Sequence, residues 1–129
     1  MNAGIVVFAH GSRVEAANRA VRALARDLAR EGGFEHVEAA FLELGDPDLE
    51  GAITRLVALG AERIVVIPFF LTSGTHMDRD LPRLISGMSL KYKSLSIQTT
   101  PPLDGHPGLI AILLDRARAA LVEPHAAET

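Results

Sequence analysis

Two histidines in this chain are placed where an enzyme or a metal-binding protein would use them. His10 directly follows the apolar run 4–9, and His76 follows the apolar run 63–70 after a short polar loop. Imidazole binds divalent metals and exchanges protons near neutral pH. If both runs are strands of one parallel sheet, their carboxyl ends lie at the same edge. The sequence therefore predicts a site at that edge which contains both histidines.

An acidic residue is predicted to reach the same edge. Glu43 lies near the end of the predicted strand 37–44, the second along the chain. There it either offsets the charge of a metal or takes a proton, or it is simply a solvated carboxylate. The chain has no cysteine, so histidine, aspartate and glutamate must hold any metal. Gly11-Ser12 and Ser73-Gly74 offer backbone N–H groups to an anionic ligand.

The elements that must position these residues alternate between strand and helix. Apolar runs predict strands at 4–9, 37–44, 63–70 and 94–100, and helical periodicity predicts helices at 14–30, 48–59 and 107–121. A third helix is expected from near Asp78, with Pro82 in its first turn and a loop at 86–94. Asp46 suits the N-cap of the second helix, with Pro47 at the first helical position.

This alternation favours an α/β domain with a four-stranded parallel sheet in the order 2-1-3-4 and helices on both faces. We predict one domain at 1–122 and a C-terminal tail at 123–129. In that order the second strand lies on one side of the first strand and the third strand lies on the other side. Ligands of such sheets bind at the carboxyl edge, at the point where the strand order reverses.

Composition limits the classes of partner. A chain of 129 residues with 48% hydrophobic content can build one core. A formal net charge of -3 gives no electrostatic reason to expect nucleic acid or an anionic membrane surface. No apolar stretch reaches the roughly 18 residues of a membrane span, so we predict a cytoplasmic protein.

Several motifs, taken together and in order, resemble those of the sirohydrochlorin chelatases. The resemblance extends from Ile5 to about Arg118, and the motifs that carry it are His10-Gly11-Ser12-Arg13, Phe41-Leu42-Glu43 with Pro47, Pro68-Phe69-Phe70-Leu71 with Gly74 and His76, Asp80-Leu81-Pro82, and Pro102-Leu103-Asp104-Gly105-His106-Pro107. It implies a chelatase-like, flavodoxin-like domain that inserts a divalent metal into sirohydrochlorin without a nucleotide. The metal, with Co²⁺ favoured over Ni²⁺ or Fe²⁺, would be a substrate, and no permanently bound cofactor is expected.

The resemblance also implies roles for individual residues. His10 and His76 would bind the incoming metal, with His10 as the proton acceptor and Glu43 as an assisting ligand. The macrocycle would contact Asp46 and a segment that consists of Leu71, Thr72, Ser73, Gly74, Thr75 and His76. Chains of this length resemble the short form of the family, which pairs as a homodimer, and 86–94 lacks the histidine-rich insertion of some short members.

Two alternatives remain open at this point. A metal or tetrapyrrole carrier could use the same pocket without turnover. A histidine phosphatase also places a histidine after its first strand, but it has an arginine before that histidine, where this chain has Ala9.

Overall fold

Four parallel strands form the centre of the molecule. The computed structural model describes residues 2–71 and 74–122, and for residues 75 and 76 it describes the backbone alone. The strands are β1 (Ala3–Ala9), β2 (His36–Phe41), β3 (Arg63–Pro68) and β4 (Ser96–Thr99). Their order is β2-β1-β3-β4, so the predicted sheet order is confirmed.

Helices cover the two faces of the sheet unequally. They are α1 (Glu15–Gly32), α2 (Leu49–Ala58), α3 (Thr75–Lys91) and α4 (Pro107–Val122). The connection from β1 to β2 moves towards one edge of the sheet, and the connections from β2 to β3 and from β3 to β4 move towards the other edge. Right-handed crossovers therefore place α1 on one face and α2 and α3 on the opposite face.

Alternating residues of the central strands build two apolar cores. Val6, Phe8 and Ile64 point towards α2 and α3 and form the larger core with Ile53 and Leu81. The smaller core lies beneath α1 and includes Val7, Ala9, Ala25, Ala39 and Phe41. Because β1 is buried on both sides, its end and the residue that follows it are held in a fixed position.

The prediction for the third helix was wrong at both ends. α3 begins at Thr75 and continues to Lys91, so Pro82 lies in the helix interior and 86–91 is helical. An interior proline removes one backbone hydrogen bond and costs about 3 kcal/mol. Met77, Leu81 and Met88 are all buried against the larger core, and this burial compensates for the proline.

The predicted N-cap of the second helix was also wrong. Asp48, and not Asp46, caps α2, because its side chain accepts a hydrogen bond from the Gly51 N–H at 2.8 Å. Strand β2 ends at Phe41 instead of residue 44. Residues 42–48 are therefore a loop, and Asp46 lies exposed within it.

Helix α4 differs from the other three helices. It has no buried residue and makes no extensive contact with another described helix or strand. The sequence predicted this helix and its bounds to within one residue, but not that it would stand apart from the sheet. Within residues 2–71 and 74–122, no helix combines the length and apolar character needed to cross a membrane.

Candidate active site at the carboxyl edge of the sheet

His10 lies in the crevice where the chain reverses, directly after β1. Its side chain is exposed, and its ring packs against the Phe70 ring with centroids 4.7 Å apart. Backbone hydrogen bonds continue the sheet past the strand ends: the Glu43 N–H donates to the His10 carbonyl at 3.1 Å, and the Phe69 N–H donates to the Phe8 carbonyl at 2.7 Å. The backbones of His10 and Glu43 are therefore adjacent, and both side chains are exposed at this edge.

Gly11 allows the chain to turn immediately after His10. Its φ is +92°, a conformation that side chains disfavour, and a Cβ on this residue would lie 1.7 Å from the Glu43 carbonyl oxygen. The loop after β2 thus packs directly on the backbone of this turn. Sequence reasoning considered Gly11 only as a backbone N–H donor, and the structure adds that the close backbone contact requires a glycine here.

Asn18, which the sequence analysis missed, ties the two loops together. It is 2% exposed, and its amide makes three hydrogen bonds. Oδ1 accepts from the Ser12 N–H at 3.0 Å, and Nδ2 donates to the carbonyls of Ser12 and Leu44, both at 2.8 Å. The Ser12 N–H is thereby occupied, which argues against its predicted role as an anion donor. A polar residue at a core-facing position of α1 was the available signal.

The loop that carries Asp46 is also held from α1. Arg22 donates from Nη2 to the Asp46 carbonyl at 3.0 Å, and its guanidinium lies 5.3 Å from the centre of the Phe41 ring. The same guanidinium pairs with Glu15 at 2.7 Å, and this hydrogen bond lowers the pKa of the Glu15 carboxyl. The Asp46 side chain therefore stays exposed while its backbone is fixed.

The loop after β3 is described in part. Leu71 is 63% exposed, and Gly74 precedes α3 as its N-cap. A Cβ added at Gly74 would meet no atom of the described residues within 4 Å. The predicted contacts at Thr72 and Ser73, and those of the Thr75 and His76 side chains, lie outside the described residues. The backbone of residue 76 belongs to the first turn of α3.

The segment that leads from β4 to α4 supports this loop from the other side. The Leu103 N–H donates to the Phe70 carbonyl at 3.0 Å, and the Asp104 N–H donates to the Leu71 carbonyl at 2.8 Å. The position of Phe70, and with it the surface against which His10 packs, thus depends on residues that precede the last helix.

The predicted metal ligands are not tested as a set. Among the described side chains, no three of histidine, aspartate and glutamate lie close enough together to hold a metal ion. The His76 side chain lies outside the described residues. A cavity of about 430 Å³ opens beside the crevice between α3 and β4, and its lining includes Met77, Asp78, Thr99 and Pro102. His10, Glu43 and Asp46 are not among its lining residues.

We predict that removing the Asn18 amide will destabilise the domain. Asn18→Leu leaves the Ser12 N–H and two carbonyls without their partner. Each such loss costs about 1–3 kcal/mol when the group is fully buried, and less here because these groups are only part-buried. We expect the free energy of unfolding, measured in urea, to fall by about 2–4 kcal/mol. Arg19→Leu, on the exposed neighbouring position, should change it by less than about 0.5 kcal/mol. Equal stability of the two variants would contradict the role of Asn18.

The fold, a histidine at the crevice and the three loops around it define a class of protein: a parallel α/β domain of the chelatase type. Comparison with solved structures supports this class. The putative cobalamin biosynthesis CbiX protein of Marinobacter aquaeolei has a TM-score of 0.81 at 26% identity, over 92% of this chain and 97% of that one. The sirohydrochlorin chelatase SirB of Bacillus subtilis in complex with cobalt has a TM-score of 0.85 at 27% identity, over 92% of this chain and 51% of that one.

The chain belongs to the CbiX family, whose model matches residues 4–120. The chloroplastic sirohydrochlorin ferrochelatase of Arabidopsis thaliana is 33% identical over 92% of this chain and 52% of its own length. The sirohydrochlorin cobaltochelatase of Methanopyrus kandleri is 29% identical, and the alignment covers 92% of this chain and 97% of that protein. The chain thus spans about half of the plant relative and nearly all of the archaeal one.

Proposed function

We propose that this protein is a sirohydrochlorin chelatase, which inserts a divalent metal into the tetrapyrrole without a nucleotide. The observation that carries the proposal is the exposed imidazole of His10 at the reversal of the sheet, in a chain of the CbiX family. The relatives named as cobaltochelatases and a ferrochelatase support the same reaction class. The metal is a substrate that passes through the site.

The reaction requires a proton acceptor next to a weak metal site. Sirohydrochlorin loses two pyrrole N–H protons as it accepts a dication. A neutral imidazole can take such a proton near pH 7. Two or three nitrogen and oxygen ligands leave coordination positions open, so the metal can be transferred to the pyrrole nitrogens. In our proposal His10 and His76 present the metal, His10 accepts a proton, and Glu43 assists as a ligand.

The macrocycle is proposed to lie over the crevice, against Asp46 and the segment 71–76. The exposed apolar side chain of Leu71 suits contact with a flat ring system, and the open space at Gly74 allows close approach of the ligand. Arg13, exposed after the turn at Gly11, is available to pair with a carboxylate of the substrate.

We further propose that the working form is a homodimer. The SirB chain is about twice as long as this one, since the aligned region covers 51% of it. A second copy would supply the other half of such an assembly. The cytoplasmic location and the domain boundary at residue 122 stay predictions.

The proposal is tested by following the absorbance of sirohydrochlorin anaerobically with Co²⁺, Ni²⁺ or Fe²⁺ and no nucleotide. We expect metal insertion to be faster with the protein than without it for at least one metal, with Co²⁺ as the first candidate. The relatives include both cobalto- and ferrochelatases, so all three metals must be compared at equal concentration. If the protein binds metal or tetrapyrrole but does not accelerate metal insertion, the proposed enzymatic activity is wrong and a carrier role is favoured.

A histidine phosphatase is not supported by the local structure. The residue before His10 is Ala9, which is 6% exposed and packed in the smaller core. The arginine that would hold a phosphate is therefore missing from its expected position.

A further inference from the structure

Helix α4 has a composition that suits burial, yet it is exposed. Its charged residues are Asp115, Arg116 and Arg118, and the remainder is almost entirely apolar. Six large side chains are between 43% and 85% exposed: Ile110, Ile112, Leu113, Leu114, Leu121 and Val122. A helix that is apolar on nearly all sides is normally buried in a core. This helix therefore lacks the surface that should cover it.

Within residues 2–71 and 74–122, no helix covers one half of a sheet face. α1 packs on β2 and β1 and does not extend over β3 and β4. Ile5, Val65 and Ile67 point to this face by strand alternation, are half-buried, and belong to neither core. Ser96 and Gln98 continue the face along β4 and are exposed. We call this region the open sheet face.

The topology leaves one helix for this region. α1, α2 and α3 are fixed by the crossovers between successive strands, whereas α4 follows the last strand and is free of that constraint. The chain thus contains an apolar helix without a sheet and an apolar sheet face without a helix.

We propose that α4 of each protomer packs on the open sheet face of a second copy, so that two protomers exchange their last helices. The proposal rests on the pairing proposed above and adds the surfaces that mediate it. Such an exchange is symmetric, because each protomer gives one helix and receives one. If each of these six side chains buries on the order of 100 Å², one helix contributes about 600 Å², and the sheet face that it covers loses a similar area. Each protomer contributes one helix and one sheet face, so the area buried on each partner exceeds the ~800 Å² of a stable interface.

Crosslinking between single cysteines tests the exchange directly, because the natural chain contains no cysteine. One chain carries Leu113→Cys on α4, and a tagged second chain carries Gln98→Cys on the open sheet face. The two are unfolded together, refolded and treated with a flexible bismaleimide. We expect a covalent product that contains one chain of each kind. In the control pair, Leu90→Cys replaces Leu113→Cys in the first chain. Leu90 is 75% exposed on α3, and this pair should give no crosslinked product.

The remaining outcomes separate this proposal from the others. A chain with both Leu113→Cys and Gln98→Cys that crosslinks internally as a monomer means that α4 folds back on its own sheet, which overturns the exchange. Sedimentation that shows a dimer without either crosslink overturns the exchange and leaves the pairing. A monomer overturns both, and the metal-insertion assay of the natural chain decides the chelatase proposal independently.

A charge on α4 gives a second measurement. Leu113→Glu should convert the dimer to a monomer with unchanged helix content by circular dichroism, since the helix buries nothing within its own protomer. Leu90→Glu should remain a dimer. If Leu113→Glu also stays a dimer, α4 is not the contact.

Discussion

Replacing His10 with alanine is expected to bring the rate of metal insertion close to the uncatalysed rate. The imidazole is exposed at the crevice, and in the proposed mechanism it binds the metal and accepts a pyrrole proton. General-base catalysis alone contributes about 10²–10⁴-fold. Stability should change little, because this exposed ring contributes mainly a contact with Phe70. The measurements are anaerobic insertion rates and urea unfolding of the natural chain and His10→Ala.

The control for this variant is another histidine of the same sheet. His36 begins β2 and pairs in register with Gly4, at the amino end of the strands and away from the crevice. His36→Ala should retain the insertion rate of the natural chain. His76→Ala should lose it as His10→Ala does. An unchanged rate in folded His10→Ala would remove His10 from the mechanism.

Gly11→Ala is predicted to be the most damaging conservative substitution near the site. The positive φ costs an alanine about 1–3 kcal/mol. The added methyl would also collide with the backbone carbonyl of Glu43, a residue whose N–H is hydrogen-bonded to His10. We expect the free energy of unfolding to fall by about 3 kcal/mol or more, a large part of the ~5–15 kcal/mol of an ordinary domain. Insertion should also slow, because the turn holds His10.

The same substitution elsewhere in the chain should have the opposite effect. Gly87 lies inside α3, and an added Cβ would have no atom within 4 Å. Gly87→Ala should raise the free energy of unfolding by up to about 1 kcal/mol through helix propensity. Urea midpoints and slopes measure both variants. If Gly11→Ala were as stable as Gly87→Ala, the close contact with Glu43 would be wrong.

The sheet and the edge that carries the site could be predicted because their signals are local. Apolar runs such as 63–70 mark buried strands, and the handedness of crossovers then limits the strand order. His10 and Glu43 were placed at the same edge by this reasoning, and their backbones are indeed adjacent. The roles of His76 and of segment 71–76 remain predictions.

Other features depend on contacts that a single sequence does not reveal. Pro82 was expected in the first turn of the third helix, but it lies in the interior of α3. The burial of Leu81 and Met88 stabilises the helix on both sides of the proline. Asn18 reads as an ordinary helix residue until the two loops around it are seen. The exposure of α4 depends on which surface packs against the helix. The hydrophobic pattern describes the helix alone and does not identify that surface.

The pairing of β1 with β3 has a consequence for how the protein matures. Ala3 pairs in register with Arg63, so the central contact of the sheet joins segments far apart along the chain. Contacts of this kind form slowly, because much of the chain must be ordered before they stabilise anything. During synthesis β1 and His10 therefore appear before β3, and the crevice forms only when β3 has docked on β1. Chains that stop before β3 should expose the apolar β1 and lack the crevice.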